Sequence, residues 1–192
     1  MPYTDTMQLK AAWVIAGTLG LLLLHAALLS FMGQPWIYEG GYVKLWHGVV
    51  ISGENSQHLS DWYTLSRIIH GILFYAILTW LFPRWPLGLR LLAAMGIEIT
   101  WEIFENTDMI INRYREQALA QGYFGDSVVN SLGDVVAVIA GLLFSSRVSA
   151  WASVTAVMAL ELIALYMIRD SLTLNIVQLL HPIDAIGVWQ AQ

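Results

Sequence analysis

Residues 96–134 read GIEITWEIFENTDMIINRYREQALAQGYFGDSVVNSLGD, and they decide what kind of protein this is. The stretch begins inside apolar sequence and yet carries Glu98, Glu102 and Glu105, whose steps of four and three residues place all three carboxylates on one side of a helix. Asp108 and Asn112 continue this stripe if the helix runs on. A second apolar segment carries polar residues at steps of four: Asp126, Asn130 and Asp134. Such helices are poorly suited to face lipid, so they predict a polar pocket between helices.

The composition places this pocket in a membrane. Of 192 residues, 57% are hydrophobic and only 12% are charged, and the mean hydropathy is +0.60. An ordinary soluble domain has about twice that charged fraction. The net charge of −5 and the lack of a basic run argue against nucleic acid as a partner. The chain has no cysteine, which excludes disulfides, thiolate catalysis and Cys-ligated zinc.

The apolar segments predict an all-α membrane protein, with residues 1–192 forming one bundle of five transmembrane helices. Each segment is long enough to cross about 30 Å of hydrocarbon. A long external connection, residues 33–63, follows the first span and is predicted to contain a short interfacial helix near residues 42–50. After the last span, residues 172–180 are too few to cross, so the tail is predicted to form an interfacial helix. The five spans cover about residues 10–32, 64–82, 87–111, 126–144 and 150–168.

Arginine and lysine residues predict the orientation. In multi-pass proteins, short connections that carry these residues face the cytoplasm. The N-terminus is therefore predicted to be cytoplasmic and the C-terminus periplasmic, in a bacterial inner membrane. Arg113 and Arg115 then lie outside, against the rule, which suggests another role for them. The residues that set this orientation are Lys10, Arg84, Arg90 and Arg147.

Depth along the helices brings the polar residues of three spans together. Span three enters from the cytoplasm and carries Glu98 about 16 Å along its axis, with Glu102 one turn further. Spans two and four enter from outside, so His70 lies about 9 Å and Asp134 about 12 Å below the outer surface. These four residues are predicted to converge in the outer half of the bilayer.

The predicted cluster must neutralise its charge. One charged side chain at the bilayer centre costs about 2.5–3.5 kcal/mol on insertion scales. The acids are therefore protonated, paired with cations or bound to a metal, and repulsion favours at least one neutral carboxyl. Oxygen ligands with one imidazole suit Mg²⁺, Mn²⁺, Ca²⁺ or Zn²⁺. The predicted metal ligands are Glu98, Glu102, Asp134 and His70.

Other readings of the polar residues remain open. Glu102 or Asp134 can pair with Arg67, Arg113 or Arg115 in a purely structural network. The acids and histidines of residues 33–63 are expected to be solvated, although this connection can also cover the pocket as a lid. The HExxH motif, the G-x-S-x-G elbow, the P-loop and the Glu-x-x-His repeat of di-iron proteins are absent.

The order of an acid-rich helix, an arginine loop and the pattern D-x-x-x-N-x-x-G-D at residues 126–134 resembles the VanZ-like group of small bacterial membrane proteins. More closely, GIEITWEIFENTDMIINRYRE, GYFGDSVVNSLGD and RDSLTLNI resemble an uncharacterised family of proteobacterial multi-pass inner-membrane proteins. The VanZ resemblance implies a link to the cell envelope and to glycopeptide tolerance. The positions matched are Glu98, Glu102, Glu105, Arg113, Asp126, Asn130 and Asp134.

Three functional hypotheses follow. The first is an enzyme that hydrolyses or transfers a lipid or lipid-linked head group, with metal assistance or acid–base chemistry. The second is a non-catalytic binder of lipid or glycopeptide antibiotic, and the third is a proton-coupled carrier. Under the first hypothesis, the catalytic residues are Glu98, Glu102, Glu105, His70 and Asp134. The head group is held by Arg113, Arg115, Asp126 and Asn130.

Overall fold

The structure is a computed structural model that describes residues 11–120 and 122–192, and its regular elements are all helices. The pairing of His47 with Asp61 is an isolated bridge outside any strand. The all-α prediction is confirmed. In chain order the helices of the described residues are α1 (Ala11–Phe31), α2 (Thr64–Leu81), α3 (Leu87–Glu105), α4 (Asp108–Arg115), α5 (Val128–Ser145), α6 (Ala150–Ile168), α7 (Leu172–Leu180) and α8 (Asp184–Gln190).

Four helices, α1, α2, α5 and α6, are long and apolar enough to cross a membrane, which indicates a multi-pass membrane protein. At 19 residues, α3 is also long enough, but it carries Arg90 and three glutamates. All four of these side chains are buried within the protein. The predicted number of five spans is therefore approximate: four by composition, and α3 by length alone.

Glycines allow α2 and α5 to pack closely together. A Cβ atom on Gly71 of α2 would lie 2.1 Å from the carbonyl oxygen of Val138. A Cβ atom on Gly141 of α5 would lie 2.1 Å from the carbonyl oxygen of Ile68. Only glycine permits this backbone approach, which matches the close helix contact expected from small residues at steps of four. α1 and α5 pack against α3, while α6 lies on the other side against α2.

The third predicted span, residues 87–111, is too long. α3 ends at Glu105, and a separate helix α4 begins at Asp108. The reason is Asn106, whose side-chain amide donates to the carbonyl oxygen of Glu102 at 2.9 Å and so competes with the helical bonding pattern. Thr107 then adopts an extended conformation. Asp108 and Asn112 consequently leave the carboxylate stripe and are exposed.

Two further predictions of helices are wrong in part. Residues 42–50 form no helix, because their backbone pairs instead with the end of the connection: His47 N donates to Ser60 O, and Leu59 N donates to Lys44 O. The tail contains two helices, α7 and α8, rather than one. Pro182 separates them, since proline lacks an N–H group and disfavours a helical residue before it.

Candidate functional site

A single guanidinium lies at the centre of the buried acids. Arg67 projects from α2, and its Nε lies 3.6 Å from Glu98 Oε1 and 3.4 Å from Asp134 Oδ2. Its Nη2 lies 3.1 Å from Glu102 Oε1 and also pairs with Glu105. The helical spacing predicted that the three glutamates of α3 share one side. The structure places all three, with Asp134 of α5, around this one cation.

His70 joins the cluster through Glu98. His70 Nδ1 lies 2.9 Å from Glu98 Oε2, and the glutamate side chain is fully buried while the histidine side chain is 15% exposed. A neutral imidazole that donates from Nδ1 keeps Nε2 unprotonated and able to accept a proton. Among the hydrogen bonds of the described residues, none uses this Nε2.

Glu102 is held from its other side by α5 and α1. Ser131 donates a hydrogen bond to Glu102 Oε2, and Ser131 Oγ lies 3.0 Å from His25 Nε2. All three side chains are completely buried. Glu102 is thereby fixed in position, which a group that must hold a proton or a ligand requires.

Asp126 precedes α5 and belongs to the same acidic region. Its Oδ2 accepts from Asn106 Nδ2 at 2.8 Å, and its Oδ1 accepts from the Tyr123 hydroxyl at 3.0 Å. Burial, together with the nearby charge of Glu105, raises the pKa of Asp126 to about 7. Burial and the neighbouring acid thus favour the protonated form of Asp126.

A cavity of about 290 Å³ opens beside this cluster. Its wall is partly charged and polar and partly apolar. The polar wall contains Arg67, His70, Glu98, Glu105, Asp126 and Asp134. The apolar wall contains Phe74, Ile97, Trp101, Leu172, Ile176 and Leu179. A cavity with two such walls suits an amphipathic ligand.

The charges of the cluster do not balance by themselves. One guanidinium faces four carboxyl groups within 4 Å. Unpaired buried charge is strongly unfavourable, and the attraction of one arginine cannot offset the repulsion among four carboxylates. The cluster therefore holds protons, or it takes up a cation.

The geometry favours a different set of metal ligands from the predicted one. Of the predicted acidic ligands, Glu98 and Asp134 lie at Nε of Arg67, and only Glu102 belongs to a group of acids among the described residues that is close enough to share an ion. Oxygen atoms of Glu102, Glu105 and Asp126 instead lie within 4.8 Å of one another. Three carboxylates without an imidazole suit Mg²⁺, Ca²⁺ or Mn²⁺ better than Zn²⁺.

Three of the predicted head-group residues lie away from the cavity wall. Arg113 donates to the carbonyl oxygen of Leu179 and pairs with Glu116, and Arg115 donates to the carbonyl oxygen of Tyr123. Asn130 donates to the carbonyl oxygen of His58. The break at Asn106 explains why Arg113 and Arg115 lie away from the cavity. Both are on α4, which is a separate helix and does not continue α3. Arg67, proposed from sequence only for a structural network, takes the central position.

The sequence analysis missed the contribution of α7. This short helix supplies Leu172, Ile176 and Leu179 to the apolar wall, and Asn175 accepts a hydrogen bond from the Tyr114 hydroxyl at 3.2 Å. The spacing of these apolar residues, four and then three, is the signal that indicates a packed helix face. Glu161 of α6 accepts from the backbone N–H of Leu172 and so holds the start of α7.

Comparison with known proteins identifies relatives over nearly the whole chain. The profile of a family described as "Protein of unknown function (DUF2585)" matches residues 29–192. A UPF0314 protein of Rhizobium meliloti is 49% identical over 187 residues, which cover 97% of this chain and 95% of the relative. A UPF0314 protein of Sphingopyxis alaskensis is 48% identical over 95% of this chain and 96% of the relative.

The matches include relatives from further proteobacteria. A UPF0314 protein of Paracoccus denitrificans is 45% identical over 89% of both chains. No solved structure matches this chain. None of the matches described here concerns a VanZ-like protein, so that resemblance stays a prediction. With a profile match over residues 29–192 and relatives near 48% identity, the chain belongs to the DUF2585 family.

Proposed function

We propose that this protein binds the polar head of a lipid or lipid-linked molecule in the acidic cavity and acts on it by acid–base hydrolysis or transfer. One observation carries the proposal. A cavity with an apolar wall contains His70, which buried Glu98 orients and which lies beside an excess of carboxyl groups. This combination supplies a place for an acyl chain, a proton acceptor and a store of protons.

The proton chemistry follows from the two kinds of group. His70 Nε2 accepts a proton from an attacking water or hydroxyl, while Glu98 stabilises the imidazolium that forms. A protonated carboxyl of the Arg67 cluster gives a proton to the oxygen that leaves. Return of the proton from His70 to the cluster restores the starting state.

The charge of the cavity restricts the head group. Arg67 is already engaged by carboxylates, and Arg113 and Arg115 lie outside the wall. A cationic head group, such as an amine, is attracted directly. An anionic phosphate requires a bound divalent cation such as Mg²⁺, Mn²⁺ or Ca²⁺, for which Glu102, Glu105 and Asp126 supply oxygen ligands.

The location we propose is the bacterial inner membrane, with a cytoplasmic N-terminus and a periplasmic C-terminus. The connection of residues 33–63 then lies outside and contributes Asn55 and Ser56 to the cavity wall. In the proposed orientation, the part of the cavity lined by Asn55 and Ser56 faces the periplasmic side.

A second candidate function is binding without catalysis. The long apolar wall formed by α2, α3 and α7 serves a binder of lipid or glycopeptide antibiotic equally well, as the VanZ resemblance implies. A proton-coupled carrier is less favoured, since the chain shows no inverted repeat.

Replacement of His70 by glutamine separates catalysis from binding. Glutamine can still hydrogen-bond to Glu98 but cannot accept a proton at neutral pH. The lipids of cells that express the wild type, His70→Gln or the exposed control His181→Gln are compared by mass spectrometry. We expect the wild type and the control to change the amount of one lipid species and His70→Gln to lose this effect.

The same preparations test the alternative. Lipids that copurify with each protein are measured together with its thermal unfolding. If all three proteins copurify with the same amount of lipid and the three strains have the same lipid composition, the enzyme proposal is rejected in favour of binding without catalysis.

A further inference from the structure

Four side chains of the connection formed by residues 33–63 lie around one carboxylate oxygen. Glu54 Oε2 accepts hydrogen bonds from the Tyr42 hydroxyl at 3.0 Å and from His58 Nε2 at 2.9 Å. Lys44 Nζ also pairs with this oxygen, and His47 Nδ1 lies 3.9 Å from it. Within the described part of the chain, no hydrogen bond reaches the other oxygen, Oε1. The cation at this point is the Lys44 ammonium, and the carboxylate and imidazoles near it are groups that also bind metal cations.

Lys44 lies where such a cation would lie. Its Nζ is 3.3 Å from His47 Nδ1 and pairs with Glu54 Oε2, so the ammonium bridges an imidazole nitrogen and a carboxylate. The two histidines are not solvated, contrary to the expectation from sequence, because His47 is 6% and His58 only 1% exposed. The Lys44 side chain is 39% exposed and can leave toward solvent.

The remaining three residues form a complete set of ligands. One ligand atom from each of His47, Glu54 and His58 lies within 4.8 Å of the others. Two imidazoles and one carboxylate with an open fourth position are ligands that Zn²⁺ and neighbouring divalent transition metals prefer. His47 Nδ1 faces the Lys44 ammonium, which can only donate, so this nitrogen carries no proton and can bind a metal.

We propose that His47, Glu54 and His58 bind Zn²⁺ or a similar divalent transition metal, and that Lys44 occupies this position until the metal displaces it. Binding at His58 Nε2 moves the ring proton to Nδ1. It therefore breaks the hydrogen bond of 3.3 Å that Lys44 N donates to this nitrogen. The backbone at Lys44 must shift as the ammonium leaves, which makes the lysine a built-in competitor of the metal.

The site is linked to the acidic cavity by chain connection. Between Glu54 and His58 lie Asn55 and Ser56, which line the cavity. Ser56 has a left-handed backbone with φ of 60°, and Asp61 Oδ2 accepts from its N–H at 3.1 Å. A metal that binds both ends of this turn restricts the segment that forms part of the cavity wall.

The test uses the full chain, purified in detergent without a histidine tag and treated with a chelator. Co²⁺ is added first, because its visible absorption reports nitrogen ligands and tetrahedral geometry, and Zn²⁺ then displaces it. We expect one Co²⁺ per chain. His58→Gln and Glu54→Gln should weaken Co²⁺ binding by at least about tenfold. Replacing a residue that only orients a metal ligand already costs about this much affinity, and the loss of a ligand itself should cost no less. Lys44→Met should strengthen binding.

Two control variants distinguish this site from others. His181→Gln removes an exposed histidine and should leave Co²⁺ binding unchanged. Loss of Co²⁺ binding in Glu102→Gln together with full binding in His58→Gln would assign the metal to the acidic cluster and overturn the proposal. Lack of Co²⁺ and Zn²⁺ binding by both the wild type and Lys44→Met would overturn it as well. Because a misfolded protein does not gain affinity, the gain in Lys44→Met supports the site even if His58→Gln fails to fold.

Discussion

Arg67 holds together acids that would otherwise repel one another. Its guanidinium is the shared partner of Glu98, Glu102, Glu105 and Asp134, and it is 8% exposed. Arg67→Met removes the charge but keeps much of the side-chain volume. Loss of one partner from a buried ion pair leaves charge uncompensated and costs about 3–5 kcal/mol. We expect a loss of this size in the free energy of unfolding, measured by denaturant unfolding in detergent.

Arg147→Met is the matched control for Arg67. Arg147 is exposed and donates only to the carbonyl oxygen of Leu143, so its replacement should change the free energy of unfolding by less than about 0.5 kcal/mol. If Arg67→Met is as stable as this control, the four carboxyl groups are all protonated and need no cation.

Asp170 gives the stability a dependence on pH. It is 2% exposed, and burial raises its pKa to about 6 from the ordinary value of 3.8. The folded form favours the protonated group, so its stabilising contribution is complete below about pH 3.8 and is lost as the pH rises through about 6. We expect the wild-type melting temperature to fall across this window and the fall to be smaller in Asp170→Asn.

The comparison for Asp170 is Asp184→Asn, which changes an exposed carboxylate in the same tail. This variant should keep the pH dependence of the wild type. Identical curves for Asp170→Asn and the wild type between pH 4 and pH 6 would show that Asp170 is ionised throughout.

The residues of the site were partly predictable from sequence. The helical period places Glu98, Glu102 and Glu105 together, and depth along the spans brings Asp134 and His70 to them. The choice among Arg67, Arg113 and Arg115 as the partner could not be made, because it depends on the break at Asn106. That break is a side-chain hydrogen bond to the backbone, which residue periodicity does not register.

Among the elements, the contact of α2 with α5 depends most directly on single residues. A Cβ atom at position 141 would lie 2.1 Å from the backbone oxygen of Ile68, and neither backbone can move without separating the helices. Gly141→Ala should therefore destabilise the protein by about 1–3 kcal/mol, the usual cost of overpacking. The measurement is the free energy of unfolding in detergent.

Gly96→Ala on α3 is the control, since a Cβ atom there has no atom within 4 Å of it among the described residues. Alanine is a better helix former than glycine, so this variant should gain about 0.5–1 kcal/mol. Equal effects of the two substitutions would mean that α2 and α5 are farther apart than the structure shows.

The extent to which elements could be predicted follows their hydrophobicity. Spans two and five, predicted at residues 64–82 and 150–168, match α2 and α6 within one residue. The apolar run of α6 lies between Arg147 and Arg169, and these charges indicate where the helix begins and ends. The end of α3 depends on the hydrogen bond of Asn106 to the backbone, and the irregular residues 42–50 depend on backbone pairing with residues 59 and 60. The separation of α7 from α8 depends on Pro182. A hydropathy pattern registers none of these three causes.

For the whole molecule, the arrangement separates lipid-facing and polar helices. α1 and α6 are the least buried of the four long apolar helices, and large side chains such as Trp13, Trp151 and Tyr166 are exposed on them. α3 carries three of the four carboxyl groups around Arg67 and packs against α1, α2 and α5. The neighbours α1, α2 and α5 therefore separate the buried acids of α3 from lipid, which such acids meet unfavourably.

Whether α3 crosses the membrane decides the topology, and the absence of cysteine makes this measurable. Single cysteines are introduced at exposed positions and labelled with a membrane-impermeant maleimide, before and after cell disruption. Five crossings with a cytoplasmic N-terminus predict labelling in intact cells at Glu39→Cys, Glu116→Cys and Ala185→Cys, and only after disruption at Arg84→Cys and Arg147→Cys. If Arg84→Cys and Glu116→Cys label from the same side, α3 does not cross. The acidic cavity would then lie at a membrane surface, where charged groups are less costly, and a head group would reach it without leaving the interface.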